Sequence, residues 1–257
     1  MKEPLKKLAE LGSACVRIGA RKPSDLRHVF GMMHFAATQI QDPDADIRSF
    51  ATMDWQEIFP EPFDFRFHSF PGVGASISLL ESAALSALIK KVRAKRVFEF
   101  GTYKGVSTTQ MALNLPTDGL IYTLDLPEKD GGKVALQIPK ESERAIAGET
   151  GKGSLIPKHL LRQIVFLKED SAHFDPKPFE GTMDLVFVDG AHSSDYVRND
   201  TEKGWRMLRD GGVMAWHDCT PSHRDVVHYL HSFHQRISLV GGTTVAFACK
   251  GEAAARS

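Results

Sequence analysis

The sequence predicts an α/β fold with a doubly wound, mostly parallel sheet, and three observations lead to this prediction. From residue 75 onward, short apolar runs alternate with stretches of helical periodicity. Several of these runs end in glycine or aspartate, as at Gly101, Asp125 and Asp189. Two short apolar segments flank Gly241-Gly242 near the end of the chain, which is typical of an antiparallel hairpin. Strands that alternate with helices indicate a parallel sheet covered on both faces.

Seven strands are expected, five in the alternating region and two in the terminal hairpin. The five are Arg96–Gly101, Leu120–Leu126, Gln163–Glu169, Met183–Asp189 and Gly211–Asp218. The hairpin strands are Ile237–Val240 and Thr243–Cys249. Helices are expected where apolar residues recur at intervals of three and four. These helices are Ser76–Ala94, Ser107–Leu115, Ser193–Arg209 and Arg224–His234.

The chain changes character near residue 75, which predicts an N-terminal extension at 1–74 and a main domain at 75–257. Weak helical periodicity covers Lys6–Ile18 and Ser24–Gln39. The many aromatic residues of the extension would form a large exposed apolar patch if left unpaired, which monomers rarely tolerate. We therefore expect a homo-oligomer that associates through the extension, by default a two-fold dimer.

The second half of the extension is rich in proline and phenylalanine between residues 59 and 72. Its prolines exclude a helix. The alternation of phenylalanine over Phe63–Phe67 indicates an extended segment with one apolar face. Such an arm packs on the main domain or on a neighbouring subunit, or it forms a wall or lid over a substrate pocket.

Composition excludes several classes of protein. Among 257 residues, 32 Lys and Arg balance 32 Asp and Glu, which argues against binding to a nucleic-acid backbone. The three cysteines, Cys15, Cys219 and Cys249, are too scattered for a disulfide framework or a zinc site, which favours a reducing compartment. The sequence contains no run of 18 apolar residues, so no membrane span is expected. The expectation is a cytoplasmic protein.

A glycine-containing loop, Glu99–Thr108, follows the first strand directly. Gly101 and Gly105 allow a sharp turn and the close approach of a ligand, and the free N–H groups of the next helix favour a carboxylate or phosphate. The loop lacks the G-x-G-x-x-G fingerprint and the Gly-Lys-Ser/Thr of a phosphate loop. Asp125 ends the second strand, where an acid accepts hydrogen bonds from ribose hydroxyls or forms a turn. Loop and acid together indicate a nucleoside-containing cofactor, either a dinucleotide or S-adenosylmethionine.

Five segments in the same order resemble the class I S-adenosylmethionine-dependent methyltransferases, specifically their small-molecule O-methyltransferase-like group. They are Glu99–Thr108, Tyr122–Pro127, Glu169–Asp175, Asp184–His192 and Leu208–Asp218. The resemblance covers about residues 75–250 and is specific to fold and cofactor, not to a substrate. It implies a Rossmann-like sheet and S-adenosylmethionine as the cofactor.

The resemblance also implies where the cofactor contacts the chain. The glycine loop lines the amino-acid end of the cofactor, Asp125 holds the ribose, Asp170 and Ser171 lie beside the adenine, and Asp189 faces the methionine portion. The implied cofactor-binding residues are Glu99, Gly101, Thr102, Tyr103, Gly105, Ser107, Asp125, Asp170, Ser171 and Asp189.

The ends of the fourth and fifth strands carry the candidate catalytic residues His192, His217 and Asp189. A hydroxyl acceptor needs a base, and a histidine suits that role. Catechol O-methyltransferase and its relatives have a lysine where this chain has His192, so His192 is either the base or a residue that orients the next helix. Asp189, His217 and Asp218 match the metal triad of metal-dependent members, for magnesium or manganese. Magnesium prefers oxygen ligands, so the metal-free route, with histidine as proton acceptor, is favoured.

The remaining histidine, charged and tryptophan residues near these strands and helices are interpreted as structural. His223, His228, His231 and His234 crowd the last predicted helix. The spacing of the last three could ligate a metal, but a solvated helix face is the favoured interpretation. Arg198, Asp200 and Glu202 are expected on a charged outer face, and Trp216 is expected in a strand packed under a helix.

The leading interpretation is methyl transfer from S-adenosylmethionine to oxygen, or to nitrogen, of a small molecule such as a natural product or sugar. An NAD-binding oxidoreductase on the same sheet is an alternative, weakened by the missing third glycine. A non-catalytic nucleoside-binding scaffold is a further alternative.

Overall fold

Eight strands form one sheet in the computed structural model, which describes residues 46–58, 60, 62–70, 76–127 and 134–251. The predicted helices Lys6–Ile18 and Ser24–Gln39 lie outside these residues. The strands are β1 (Ala51–Met53), β2 (Arg96–Phe100), β3 (Leu120–Asp125), β4 (Ile164–Lys168), β5 (Met183–Val188), β6 (Leu208–Trp216), β7 (Ser238–Val240) and β8 (Ala246–Cys249).

The strand order is β1-β7-β8-β6-β5-β2-β3-β4. All neighbours are parallel except that β8 runs antiparallel to both β6 and β7. The predicted α/β class and terminal hairpin are confirmed. The predicted number of strands was wrong, because β1 lies in the segment interpreted as an extension and pairs in parallel with β7. This three-residue strand is largely exposed and carries no apolar pattern that could have revealed it.

Six α-helices cover the sheet in the described part of the chain. They are α1 (Trp55–Ile58), α2 (Leu79–Lys91), α3 (Val106–Asn114), α4 (Glu141–Ala147), α5 (Ser194–Met207) and α6 (Arg224–Ser232). The four predicted helices are present as α2, α3, α5 and α6. Helices α1 and α4 were not predicted, because each is short and α4 buries no residue. No helix among the described residues is long and apolar enough to cross a membrane.

The core lies on both faces of the neighbouring strands β2 and β5, inside the sheet. Val97, Phe98, Leu185 and Phe187 are fully buried there. Because helices cover both faces, these strands are mostly apolar on both sides, with exceptions that include Glu99 in β2 and Asp184 at the start of β5. Trp216 in β6 is also buried and donates a hydrogen bond to the Thr201 hydroxyl at 2.9 Å, as expected for a strand residue under a helix.

The proline- and phenylalanine-rich arm lies against α3. The side-chain amide of Gln110 accepts a hydrogen bond from the His68 N–H at 3.1 Å and donates one to the His68 carbonyl at 2.6 Å. Asn114, one helical turn further, makes the same pair of bonds with the backbone of Arg66, both at 2.8 Å. Two amides on one helix face thus hold alternate residues of the extended arm.

Glu99 is a carboxylate in the middle of the buried strand β2. It is fully buried and accepts hydrogen bonds from the hydroxyls of Ser107, Thr108 and Thr123 at 2.5–2.6 Å. Burial raises the pKa of Glu99 to about 7, because the loss of water outweighs these hydroxyl donors, which favour the ionised form. The acid ties β2, β3 and the first turn of α3 together.

The raised pKa of Glu99 predicts a pH dependence of stability. Between pH 4.5 and about 7 the unfolded chain has lost this proton while the folded chain keeps it. The free energy of unfolding therefore falls as pH rises through this range, by up to about 3 kcal/mol. Glu99→Gln removes the ionisation, so urea unfolding at several pH values should show a smaller decline for this variant than for the wild type.

Glu202→Gln, at an exposed glutamate of α5, is the matched control and should retain the wild-type pH dependence. Identical pH profiles for Glu99→Gln and the wild type would contradict the assignment.

Candidate active site

Two adjoining cavities lie at the edge of the sheet where β2, β3, β5 and β6 end. The first has a volume of about 130 Å³ and lies between the glycine loop and the ends of β3 and β4. The second, of about 420 Å³, lies between the loop and the ends of β5 and β6. They share part of their walls, formed by Gly101, Tyr103, Glu143, Ile146, Asp189, Gly190 and His192.

The two glycines of the loop are required by close contacts. Gly101 has φ 94°, and a Cβ atom there would lie 2.1 Å from the carbonyl oxygen of Asp189. Gly105 has φ 88°, and its Cβ would lie 2.4 Å from Cγ1 of Ile156. A side chain at either position would need both a strained backbone and a displaced neighbour. The absence of side chains therefore lets the loop pass close to the end of β5.

Asp125 holds the loop in place from the end of β3. Its Oδ2 accepts hydrogen bonds from the backbone N–H groups of Thr102 and Tyr103 at 3.0 and 2.7 Å. Its Oδ1 lies 3.1 Å from the ammonium of Lys152, whose side chain is almost buried. The carboxylate also lines the first cavity.

The far end of the first cavity is formed by Asp170 and Ser171, after β4. Asp170 accepts hydrogen bonds from the Ala135 N–H at 2.7 Å and from the Tyr196 hydroxyl at 3.0 Å. Asp200 also lines this cavity. The prediction of an outer face was wrong for Asp200, because it lies one helical turn after Tyr196 on the buried side of α5.

Burial raises the pKa of Asp200 to about 7. Arg198 and Glu202, the other two members of the predicted outer face, are exposed as expected.

Most predicted cofactor residues line one of the two cavities. They are Gly101, Thr102, Tyr103, Ser107, Asp125, Asp170, Ser171 and Asp189. Glu99 and Gly105 line neither cavity. They lie within the fold behind the loop, so their predicted contact with the cofactor stays a prediction.

Charged side chains converge in and beside the second cavity. Asp189 and Asp218 follow β5 and β6, as predicted, and His217 lies between them. Asp218 has φ 55°, a left-handed conformation that non-glycine residues seldom adopt. The converging residues are His192, His217, His223, Glu81, Glu143, Asp189 and Asp218.

His217 is surrounded by three carboxylates. Its Nδ1 lies 3.0 Å from Oδ1 of Asp189 and 3.2 Å from Oδ2 of Asp218. Its Nε2 lies 3.4 Å from Oε2 of Glu81, the N3 residue of the α2 capping box. Burial disfavours the charged imidazole, but the carboxylates outweigh it and raise the pKa of His217 far above its ordinary value. Burial opposes ionisation of Asp218, but the two imidazoles beside it lower the pKa of this carboxyl.

His192 lies between two carboxylates in the same way. Its Nε2 is 2.9 Å from Oδ2 of Asp218, and its Nδ1 is 3.2 Å from Oε1 of Glu143. Burial again opposes protonation, yet Asp218 and Glu143 raise the pKa of His192 to about 9. With only these neighbours, His192 holds its proton at neutral pH, which weakens the prediction that it acts alone as a base.

His223 belongs to the site, which corrects the prediction of a solvated position. Its ring lies against that of His192, tilted by 43° with centroids 4.4 Å apart, and its Nδ1 lies 3.6 Å from Oδ1 of Asp218. It precedes α6, so the turn directs it back to the cavity. His228, His231 and His234 are exposed, as predicted.

Several site residues carried no recognisable signal in the sequence. Glu143 and Lys152 come from the polar stretch between β3 and β4, where no strand or motif marks them. Glu81 could have been found through its capping box with Ser78, but that pattern indicates a helix start and not a contact with His217.

Part of the chain is similar to known methyltransferases. Residues 98–219 match the family described as a methyltransferase domain. A caffeoyl-CoA O-methyltransferase from Stellaria longipes is 30% identical over 139 residues, 54% of this chain and 52% of that protein. A flavonoid 3',5'-methyltransferase from Vitis vinifera is 30% identical over 136 residues, 53% of this chain and 50% of that protein. The chain thus spans about half the length of these curated relatives.

The fold agrees with that of a solved structure, a putative caffeoyl-CoA O-methyltransferase from Staphylococcus aureus. The TM-score is 0.50 at 14% sequence identity, covering 86% of this chain and 98% of that one. Residues 98–219 are therefore similar to methyltransferase domains, part of the chain is similar to caffeoyl-CoA O-methyltransferases, and the sheet has the fold of a putative O-methyltransferase.

Proposed function

We propose that the protein transfers the methyl group of S-adenosylmethionine to a hydroxyl oxygen of a small molecule. The observation that carries this proposal is the junction of the two cavities at Gly101, Asp189 and His192. A nucleoside in the first cavity would place its sulfonium end at this junction. An acceptor in the second cavity would meet it there.

In the proposed reaction, a lone pair of the acceptor oxygen attacks the methyl carbon while the carbon–sulfur bond breaks. The products are the methyl ether and S-adenosylhomocysteine, and the hydroxyl proton must leave the acceptor. Asp189, His192 and His217 surround the junction and are the groups that can orient the hydroxyl and receive its proton. Both histidines must first give up their own protons, because the carboxylates beside them raise the pKa of His217 far above its ordinary value and that of His192 to about 9.

Asp189, His217 and Asp218 fit a divalent cation. One ligand atom from each lies within 4.8 Å of the others, and the set offers two carboxylates and one imidazole. A mixed oxygen and nitrogen set suits manganese better than magnesium. These three residues would hold the cation, which would supply Lewis acidity to a hydroxyl group beside it. Since the carboxylates raise the pKa values of both histidines and so keep them protonated, a metal-dependent reaction is favoured over the metal-free route.

The proposal also covers the class of methyl acceptor, the oligomeric state and the cellular location. The relatives are named for caffeoyl-CoA and for a flavonoid, which supports a natural product as the methyl acceptor. A sugar hydroxyl would present the same chemistry. The neutral charge balance supports a small-molecule acceptor over a nucleic acid. Self-association through residues 1–74 and a cytoplasmic location complete the proposal.

The cofactor assignment predicts that Gly101→Ala lowers affinity for S-adenosylhomocysteine at least about tenfold, which is 1.4 kcal/mol. The reason is that a Cβ at this position collides with the Asp189 carbonyl and displaces the cavity wall. The measurement is titration calorimetry, with NAD as a second ligand and thermal unfolding to establish that the variant is folded.

Gly181→Ala is the matched control, because Gly181 also has a positive φ of 65° but no atom within 4 Å of its Cβ position. It should bind like the wild type. Tight binding of NAD with none of S-adenosylhomocysteine would support the oxidoreductase alternative and refute the cofactor assignment.

The metal-dependent route predicts that chelation lowers turnover by roughly 10²–10⁴-fold and that Mn²⁺ restores it better than Mg²⁺. Formation of S-adenosylhomocysteine is measured with a panel of acceptors including caffeoyl-CoA, a flavonoid and a sugar. Asp189→Ala should lose activity similarly, and His228→Ala, at an exposed histidine of α6, should retain it. Undiminished turnover in chelator would refute the metal-dependent route.

A further inference from the structure

We infer that His192, Asp218 and His223 form a second divalent-cation site, which shares Asp218 with the set of Asp189, His217 and Asp218. This site would bind a borderline ion such as Zn²⁺ or Mn²⁺. The inference goes beyond the proposed function, because ion binding here is measured without methyl transfer.

The first argument is the separation of the ligand atoms. One atom from each of His192, Asp218 and His223 lies within 4.8 Å of the others. Ligands on a tetrahedral ion with bonds of 2.0–2.2 Å are about 3.4 Å apart. Here Nε2 of His192 lies 2.9 Å from Oδ2 of Asp218, and Nδ1 of His223 lies 3.6 Å from Oδ1. Small adjustments of side chains therefore bring all three onto one ion.

The second argument is that the ring nitrogens of His192 lack directed partners. Both are shielded from solvent, and neither makes a hydrogen bond of acceptable geometry with any described residue. Nevertheless carboxylate oxygens lie 2.9 and 3.2 Å from them. A neutral imidazole nitrogen that makes no hydrogen bond can bind a divalent cation, and Nε2 of His192 lies beside Oδ2 of Asp218.

The third argument is charge and donor type. Asp189, Asp218, Glu81 and Glu143 bring four carboxylates into and beside the second cavity. Two imidazoles and one carboxylate in the second set favour Zn²⁺ or Mn²⁺ over Mg²⁺. The carboxylate of Asp218 faces both sets, with Oδ2 towards His217 and His192 and Oδ1 towards His223. It is therefore placed to bridge two ions, as in two-metal sites.

The test is equilibrium dialysis of metal-free full-length protein against Zn²⁺, with the bound metal measured by atomic emission. We expect about two ions per chain for the wild type and about one for His223→Ala or for Asp189→Ala. His234→Ala, at an exposed histidine just beyond α6, is the control and should bind about two. One ion or none in the wild type, or two in His223→Ala, would overturn the second site.

A measurement on the wild-type chain removes the dependence on folded variants. In nitrogen-detected spectra of the histidine rings, Zn²⁺ should shift the ring-nitrogen resonances of His192 and His223 as well as those of His217. Shifts confined to His217 would overturn the second site and leave the proposed function intact. If the wild-type protein bound two ions but no S-adenosylhomocysteine, the proposed function would be refuted and the second site would stand.

Discussion

The contact between Gly101 and the backbone of Asp189 is the constraint on which the site depends. Gly101 donates a hydrogen bond to the Leu124 carbonyl, and Asp189 donates one to the Phe100 carbonyl, both at 2.9 Å. Strands β3, β2 and β5 thus stay paired to their last residues. Only a glycine allows this, because any Cβ would meet the Asp189 carbonyl. As a result the two cavities share a wall, and the polar strand ends lie side by side.

The site also brings several negatively charged side chains close together. Buried carboxylates are costly unless they are paired, and this chain compensates them with imidazoles. His192 and His217 each lie between carboxylates that raise their pKa values, so in the protein alone they serve as counter-ions. A divalent cation would compensate the carboxylate charge in their place, so the histidines could lose their protons. The same geometry therefore links cation binding to the availability of a base.

The elements that the sequence revealed are those with strong local signals. Apolar runs marked β2, β3 and β5, and the glycine loop and Asp125 followed from their positions at strand ends. These predictions succeeded because parallel strands direct their carboxyl ends to one edge of the sheet. The number of strands was wrong because β1 forms through pairing with β7, which lies far along the chain.

The remaining site residues depend on contacts that no local pattern encodes. Glu81 reaches His217 from the start of α2, and Glu143 reaches His192 from a short polar helix. In the sequence, Asp200 stands between charged residues that are exposed in the structure. It lines the first cavity because α5 packs with this side facing the cavity. Such roles follow from how the elements pack, which single-sequence periodicity does not determine.

The most direct test of the account is a crystal structure of the protein with S-adenosylhomocysteine and Mn²⁺, with anomalous scattering used to locate the metal. We expect the nucleoside in the first cavity with its ribose at Asp125 and its sulfur at the junction beside Asp189. We expect a manganese peak among Asp189, His217 and Asp218. A nucleoside bound elsewhere, or one whose sulfur faces away from the second cavity, would contradict the proposed methyl transfer.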